Sequence, residues 1–234
     1  MCLLIWSRRP LKVHAPLYYL IAFAYDVPVQ SPRLSGGPLW IHAERFDISA
    51  EAPHGAIPSN SSRLANEATL RLMLRSLLAE RFKLGIRAEA RDGQIYALVV
   101  QDGGPKLEPA KIQDEQDCSY VAAARVACHT VTGGQGRGIQ GEAVNVADMA
   151  RFVENWSDRP ILDKTGLEGL FSVKTEGWAP LVPVPPGQGD DEGVLDPARP
   201  TLFAVFAKLG LRLESQKGPV ETYVIDSAER PSEN

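Results

Sequence analysis

The stretch NEATLRLMLRSLLAERFKLGIRAEARDGQIYALVVQ, from Asn66 to Gln101, decides how this chain reads. Leu70, Met73, Leu74, Leu77, Leu78 and Phe82 recur at helical spacing, while Arg71, Arg75, Glu80 and Arg81 occupy the other side. That pattern is an amphipathic helix with one buried face. After it, Phe82, Leu84, Ile86 and Ala88 alternate with Lys83, Gly85, Arg87 and Glu89, the period of two of a strand wetted on one side. Asp92-Gly93 reads as a turn, and Ile95 to Val100 is apolar on both faces, as in a central strand covered on both sides. The unit is helix, strand, strand.

Outward from that unit, Arg8 to Val13 reads as a short strand and Ala15 to Tyr25 as a helix with proline in its first turn. Val27 to Gly37 is a loop, Trp40 to Ala50 a strand centred on Phe46 and Ile48, and Gly103 to Gly138 a long connection. In the second half Asn145 caps a helix whose apolar face is Val146, Met149, Ala150, Val153 and Trp156, with Asp148 as capping partner. Short strands follow around Ile161-Leu162 and Leu170 to Val173. Gly177 to Pro200 holds six prolines and four glycines, so it is an excursion outside the core. A last helix over Leu202 to Leu209 ends at Gly210, followed by strands at Leu211 to Leu213 and Tyr223 to Ile225.

Phe82 and Leu209, Leu84 and Leu211, Tyr96 and Tyr223, and Leu98 and Ile225 are each 127 residues apart. Phe46 and Phe171 are 125 apart. The same order of elements at a near-constant offset is the mark of a duplicated unit. The expectation is an α+β fold of two pseudo-repeats, each strand-helix-strand-helix-strand-strand, in mainly antiparallel sheets. Its pieces are residues 1–102, a connection over 103–137, and residues 138–234 carrying the excursion 177–200.

Lys plus Arg number 25 against 29 Asp plus Glu, a net charge of −4 with no basic stripe, which excludes a general nucleic-acid binder. The longest apolar run, Ala15 to Tyr25, is about half of the roughly 20 residues that span a bilayer. Met1 to Trp6 is apolar and precedes Arg8-Arg9, the reverse of a signal peptide. Cys118 and Cys128 lie ten apart in a polar segment. A disulfide there would contribute about 2–3 kcal/mol in the chain-entropy model. Two independent thiols are the alternative, as is zinc, for which only His129 lies nearby where four ligands are wanted. Cys2 is left over.

Asp163-Lys164-Thr165-Gly166 matches the phosphorylated motif of P-type ATPases, but the loops and membrane helices of that chemistry are missing, and a turn accounts for the residue types. The glycine run 133–138 lacks Gly-Lys-Ser/Thr and reads as flexible connection. His14, His42, His54 and His129 form no metallopeptidase pair, and no serine sits in a Gly-x-Ser-x-Gly frame. No catalytic set, cofactor site or metal site is legible. Gly36 and Gly37 beside Trp40, and Lys217-Gly218 before Pro219, are the segments that would line a binding groove, with turn chemistry as the alternative.

Ala24 to Val27, Ser35 to Pro38 with Trp40, Arg45 to Ile48, Leu72 to Leu84, Tyr96 to Val100, Gly104 to Leu107, Arg159 to Leu167 and the tail from Leu213 to Asn234 resemble an uncharacterised family expanded in soil acidobacteria of the Solibacter type. Its members usually look secreted, and some carry the domain behind a membrane-bound sensor-type metallopeptidase. The resemblance implies an extracytoplasmic domain with no catalytic residues to carry over. The chain departs from the family by lacking a signal peptide and the strand that normally precedes residue 8, which points to a truncated or misassigned start. More distantly, the helix-strand-strand units resemble the short N-terminal domains of secretins and TonB-dependent receptors, which bind proteins by sheet edges or grooves. The functional expectation is a non-enzymatic envelope module holding a protein or peptide partner. The alternatives are a hydrolase with a site assembled from Asp163, Lys164, His42 and Arg159, and a passive structural domain.

Overall fold

Proline 16 sets where the first helix begins. Its φ of −59° and ψ of 146° end strand β1 (Leu11–Pro16), and helix α1 (Leu17–Ala24) follows at once, two residues later than the expected start. The computed structural model describes residues 11–50, 56, 63–113, 118, 128–181 and 198–232. Cys2 and most of the proline-rich excursion lie outside them.

The elements continue with β2 (Leu34–Gly36), α2 (Trp40–Ala43), β3 (Arg45–Ala50), α3 (Arg63–Phe82), β4 (Gly85–Val100), β5 (Glu108–Pro109), β6 (Thr132–Gly134) and β7 (Gly138–Val144). Then come α4 (Val146–Glu154), β8 (Ile161–Asp163), β9 (Phe171–Lys174), α5 (Leu202–Lys208) and β10 (Leu211–Ser227). Three sheets result, with strand orders β1-β3, β2-β10-β4-β8 and β5-β9-β7-β6. The fold is α+β, and its sheets are mostly antiparallel; β2 on β10 and β8 on β4 are parallel.

Two compact units divide the chain. Unit 1 takes Met1–Val29, Arg33–Glu89 and Thr222–Asn234, and unit 2 takes Gln30–Pro32 and Ala90–Glu221. These are interleaved, whereas the pieces drawn from sequence are contiguous. The assignment changes inside β4 and inside β10, so each of those strands serves both units.

The core of unit 1 gathers Leu17, Leu20 and Ile21 of α1, Ile41 of α2, Leu74, Leu78 and Phe82 of α3, and Ile225 of β10. Unit 2 is built around Tyr96 and Leu98 of β4, Met149, Ala150 and Val153 of α4, Trp178, and Leu202, Val205 and Phe206 of α5. A satellite core in unit 2 joins Ala110, Cys128, Ala143 and Leu170. Helix α4 begins as its sequence requires: the Asn145 side chain accepts from the Asp148 N–H at 2.8 Å, and the Asp148 carboxylate accepts from the Asn145 N–H at 2.9 Å. Such a reciprocal cap satisfies two helix-end donors and is worth about 1 kcal/mol.

Several local expectations give way to tertiary contacts. No turn forms at Asp92-Gly93; β4 runs on as one 16-residue strand. Gly93 does not take the positive φ that a tight hairpin turn demands, because its strand is laddered along β10 instead. For the same reason Leu211–Ser227 is a single strand rather than two. The expected strand over Trp40 to Ala50 divides into α2 and β3 on either side of Glu44. The glycine run is an ordered hairpin, not a flexible connection: Gly134 faces Gly138, Gly133 faces Ile139, and the Trp178 N–H donates to the Gln135 carbonyl at 2.7 Å. Gly138, at φ +79°, lies so close to Thr175 that an added Cβ would stand 2.2 Å from its carbonyl oxygen. Glycine is required there by space and by backbone angle.

Arg71 and Arg75 also depart from the wet face assigned to them. Arg75 Nε donates to the Ala24 carbonyl at 2.8 Å with its guanidinium 4.5 Å from the Tyr25 ring centroid, and Arg71 bridges Asp26 at 2.9 Å. A cation at a helix C-terminus meets carbonyls without intrahelical partners and the negative end of the dipole. Both arginines therefore belong to the packing of α3 on the end of α1.

Inside the units, strand registers correspond closely. In unit 1 Tyr223 pairs with Leu34, and in unit 2 Tyr96 pairs with Ile161; both strands of the pair are shifted by 127 residues. Phe46 faces Ala15 across β3 and β1, as Phe171 faces Val144 across β9 and β7, at shifts of 125 and 129.

Candidate functional site

Among the described residues, sheet β1-β3 consists of two strands. Its inner face, Phe46 and Ile48 with Val13, packs on the unit 1 core, while Lys12, His14, Arg45, Asp47 and Ser49 alternate with them and are exposed. Strand β3 pairs with β1 on one side only, and among the described residues no strand covers its outer side. In unit 2 the matching strand β9 is covered on both sides. Strand β7 lies on one, and β5 on the other, with Pro109 opposite Phe171, Glu108 opposite Ser172, and the Ala110 N–H donating to the Leu170 carbonyl at 2.9 Å.

The residues singled out from sequence divide between the units. Gly36 and Gly37 have φ of +83° and +79° and lie against Ile225, where the Gly37 N–H donates to the Ile225 carbonyl at 2.9 Å. A Cβ on Gly36 would stand 2.6 Å from that oxygen, so close strand pairing accounts for glycine there. Trp40 is half-buried behind β3, edge-on to Phe46 at 5.9 Å, with the Arg230 guanidinium 5.0 Å from its ring centroid. Arg230 forks onto Glu44, with Nε to Oε2 at 2.9 Å, and the hydrogen bond from Arg230 holds the Glu44 carboxyl below its ordinary range. Lys217 is exposed on β10 in unit 2, and Gly218 is buried against Ile95.

Asp163, Lys164, Arg159 and His42 are each engaged locally. Asp163 Oδ1 accepts from the Thr165 N–H at 2.9 Å and from its hydroxyl at 2.7 Å, the side-chain turn expected of that tetrapeptide. The Lys164 N–H donates to the Leu98 carbonyl. Arg159 lies over the Tyr96 ring at 4.6 Å, forks onto Asp158 and donates to Ser215 Oγ at 3.0 Å. Burial is the main cause that raises the Tyr96 hydroxyl pKa. His42, in unit 1, rests on the Tyr18 ring at 4.3 Å. Among the described residues no group of three or more His, Cys, Asp or Glu side chains is placed to hold a metal ion, and no helix is long and apolar enough to cross a membrane.

Cys118 and Cys128 form a disulfide, with Cα atoms 5.5 Å apart. Their sulfurs join the satellite core beside β5 and β9. His129, next in the chain, pairs with Asp148 at 2.7 Å, so the residue weighed as a zinc ligand is a partner of the α4 cap.

One buried carboxylate escaped the sequence reading. Glu154 is 1% exposed, accepts from the Ser31 hydroxyl, and accepts from the Ile161 N–H at 3.1 Å. It stands four residues after Ala150 and eight after Val146, on the apolar face of α4, and that spacing was the available signal. Gln30–Pro32 is thereby held in unit 2.

Fold and cross-link together define a disulfide-bearing α+β protein. The chain belongs to the family described as protein of unknown function (DUF3738), which matches residues 18–228. Neither the curated proteins nor the solved structures contain a match to it.

Proposed function

We propose that this chain is an extracytoplasmic interaction module without catalytic activity, which holds a protein or peptide partner along the outer edge of β3. The observation that carries the reading is the contrast between that edge, bare of any described strand, and the edge of β9, covered by β5. An edge of unpaired N–H and C=O groups is a ready template for one more strand, and peptide recognition by strand addition uses it directly. Trp40 packs on Phe46 behind β3, and Gly36 and Gly37 in unit 1, like Lys217 and Gly218 in unit 2, are binding candidates each within its own unit. The matched registers favour two copies of one supersecondary unit, residues 1–102 and 138–234 joined by 103–137. The Cys118–Cys128 disulfide favours an oxidising compartment such as the cell envelope.

In-cell crosslinking of the protein in its host, with mass spectrometry of captured species and of the thiol state in one digest, tests this. A recurrent envelope protein crosslinked near β3, with Cys118 and Cys128 oxidised, is the expected result. Reduced thiols and cytosolic enzymes alone would overturn both the compartment and the role.

A further inference from the structure

Cys118 and Cys128 join a small cluster set apart from the main core of unit 2. The main core carries Trp178, Phe206 and Met149, whereas the satellite core is made, among the described residues, of Ala110, Cys128, Ala143 and Leu170, with Ile112 and Cys118 packed on them. The edge strand β5 is two residues long, both are exposed, and Pro109 has no N–H to give to the ladder. Past it, the Ala110 N–H donates to the Leu170 carbonyl at 2.9 Å, and the Gln113 side-chain amide donates to the Ala110 and Leu170 carbonyls at 2.8 and 2.9 Å. Cys128 is anchored independently, since it is buried and the next residue, His129, donates its N–H to the Ala143 carbonyl of β7 at 2.8 Å. The disulfide therefore ties the chain just past β5 to the β7 side of the same sheet. Small side chains bury little apolar area, so the satellite core has little to hold this segment with once the bond opens.

We infer that the disulfide is a redox-operated clamp on the edge of this sheet: closed, it keeps residues 108–113 on β9, and opened by a dithiol it lets them leave while the rest of unit 2 stays folded. Cys118 is half-buried and Cys128 is buried, so the incoming thiolate attacks Cys118 Sγ. The S–S bond breaks, and Cys128 leaves as a thiolate that takes up a proton. The second thiol of the dithiol then displaces Cys118 from the mixed disulfide. The reductant ends as a cyclic disulfide, and two electrons and two protons have passed to the protein. Opening is local because α4 packs in the main core through Met149, Ala150 and Val153 and has its own cap. Its consequence is felt at the outer edge of β9 (Phe171–Lys174), which β5 covers in the oxidised chain and vacates in the reduced one. The clamp is independent of the partner proposed at β3.

The test uses the full chain in a Cys2→Ser background, compared as oxidised protein, after reduction by dithiothreitol without denaturant, and after reoxidation, beside C118S/C128S. Trypsin cleavage after Lys111, which is exposed, reads opening of the segment, and hydrogen exchange of the Val146–Glu154 amides reads the rest of unit 2. Reduction is expected to speed the cleavage at least about tenfold and reoxidation to restore the first rate, with exchange in α4 unchanged. C118S/C128S should be cut at the fast rate with or without reductant. Equal cleavage of oxidised and reduced protein would overturn the clamp, as would a bond that dithiothreitol fails to reduce in the folded chain. Loss of protection in α4 in step with cleavage would mean that the whole unit opens, and would overturn the local device.

Discussion

Reducing the Cys118–Cys128 bond in an otherwise intact chain isolates a contribution whose size follows from its place in sequence. The two residues are ten apart, and closing a loop of that length removes unfolded-state entropy worth about 2.7 kcal/mol at 25 °C in the chain-entropy model. Cys128 is 1% exposed within the satellite core, so reduction also leaves two thiols to be accommodated where one bond stood. The assay is denaturant unfolding of three samples in a Cys2→Ser background: oxidised parent, reduced parent, and C118A/C128A. Oxidised parent should exceed reduced parent by about 2–3 kcal/mol, and C118A/C128A should be insensitive to reductant. In a thermal scan the same difference lowers the midpoint by about 5–10 °C, at about 2–4 °C per kcal/mol for a chain of this size. Exchange at the Ala110 amide, which donates to the Leu170 carbonyl, should rise on reduction before the rest of unit 2 responds. Coincident transitions for oxidised and reduced parent would refute both the bond and its role in seating β5.

Arg75→Met should cost about 2 kcal/mol, because a charge-assisted hydrogen bond to the Ala24 carbonyl and a cation over the Tyr25 ring are lost together; denaturant unfolding checks it, and parental stability would return Arg75 to the wet face. Leu98→Ala, at a fully buried position, should cost about 2–5 kcal/mol, whereas Leu72→Ala, 60% exposed, should stay within about 0.5 kcal/mol. Gly138→Ala should destabilise the β6–β7 hairpin by more than about 1 kcal/mol through backbone strain and collision with Thr175, seen as faster exchange at Gly138 to Val144. Burial raises the hydroxyl pKa of Tyr18, Tyr25 and Tyr96, in each case as the main cause. Because the folded values lie above the unfolded one, their contribution is whole below pH of about 10 and lost as pH rises through the raised values. Ultraviolet titration should show these tyrosines ionising late, and Arg75→Met should delay Tyr25 further by removing the nearby cation.

The cap of α4 and its apolar face from Val146 to Val153 were readable, since Asn145, Asp148 and those residues all act within two or three turns of one helix, whereas the helix ends at Glu154, short of Trp156. The burial of Ile95 to Leu98 was readable too, because a strand apolar on both faces has nowhere else to go. The candidate site was legible only in part. Trp40 could be singled out and stands behind β3, but nothing local to Phe171 signals that β5 pairs along β9.

By itself the sequence determined which segments are amphipathic, where α4 is capped, that Asp163 to Gly166 makes a turn, and the two tyrosines in matched frames 127 residues apart. Those are properties of residues close in the chain, or of a spacing that any fold preserves. Tertiary structure decided the rest: that Asp92-Gly93 stays extended because a long strand lies alongside it, that Arg75 turns inward to cap the end of α1, that Glu154 is buried on Ser31 and Ile161, and that β5 and β7 both pair with β9. Each depends on a partner tens of residues distant, and pairing across such distances is set by which surfaces bury together, information no local window of residues contains.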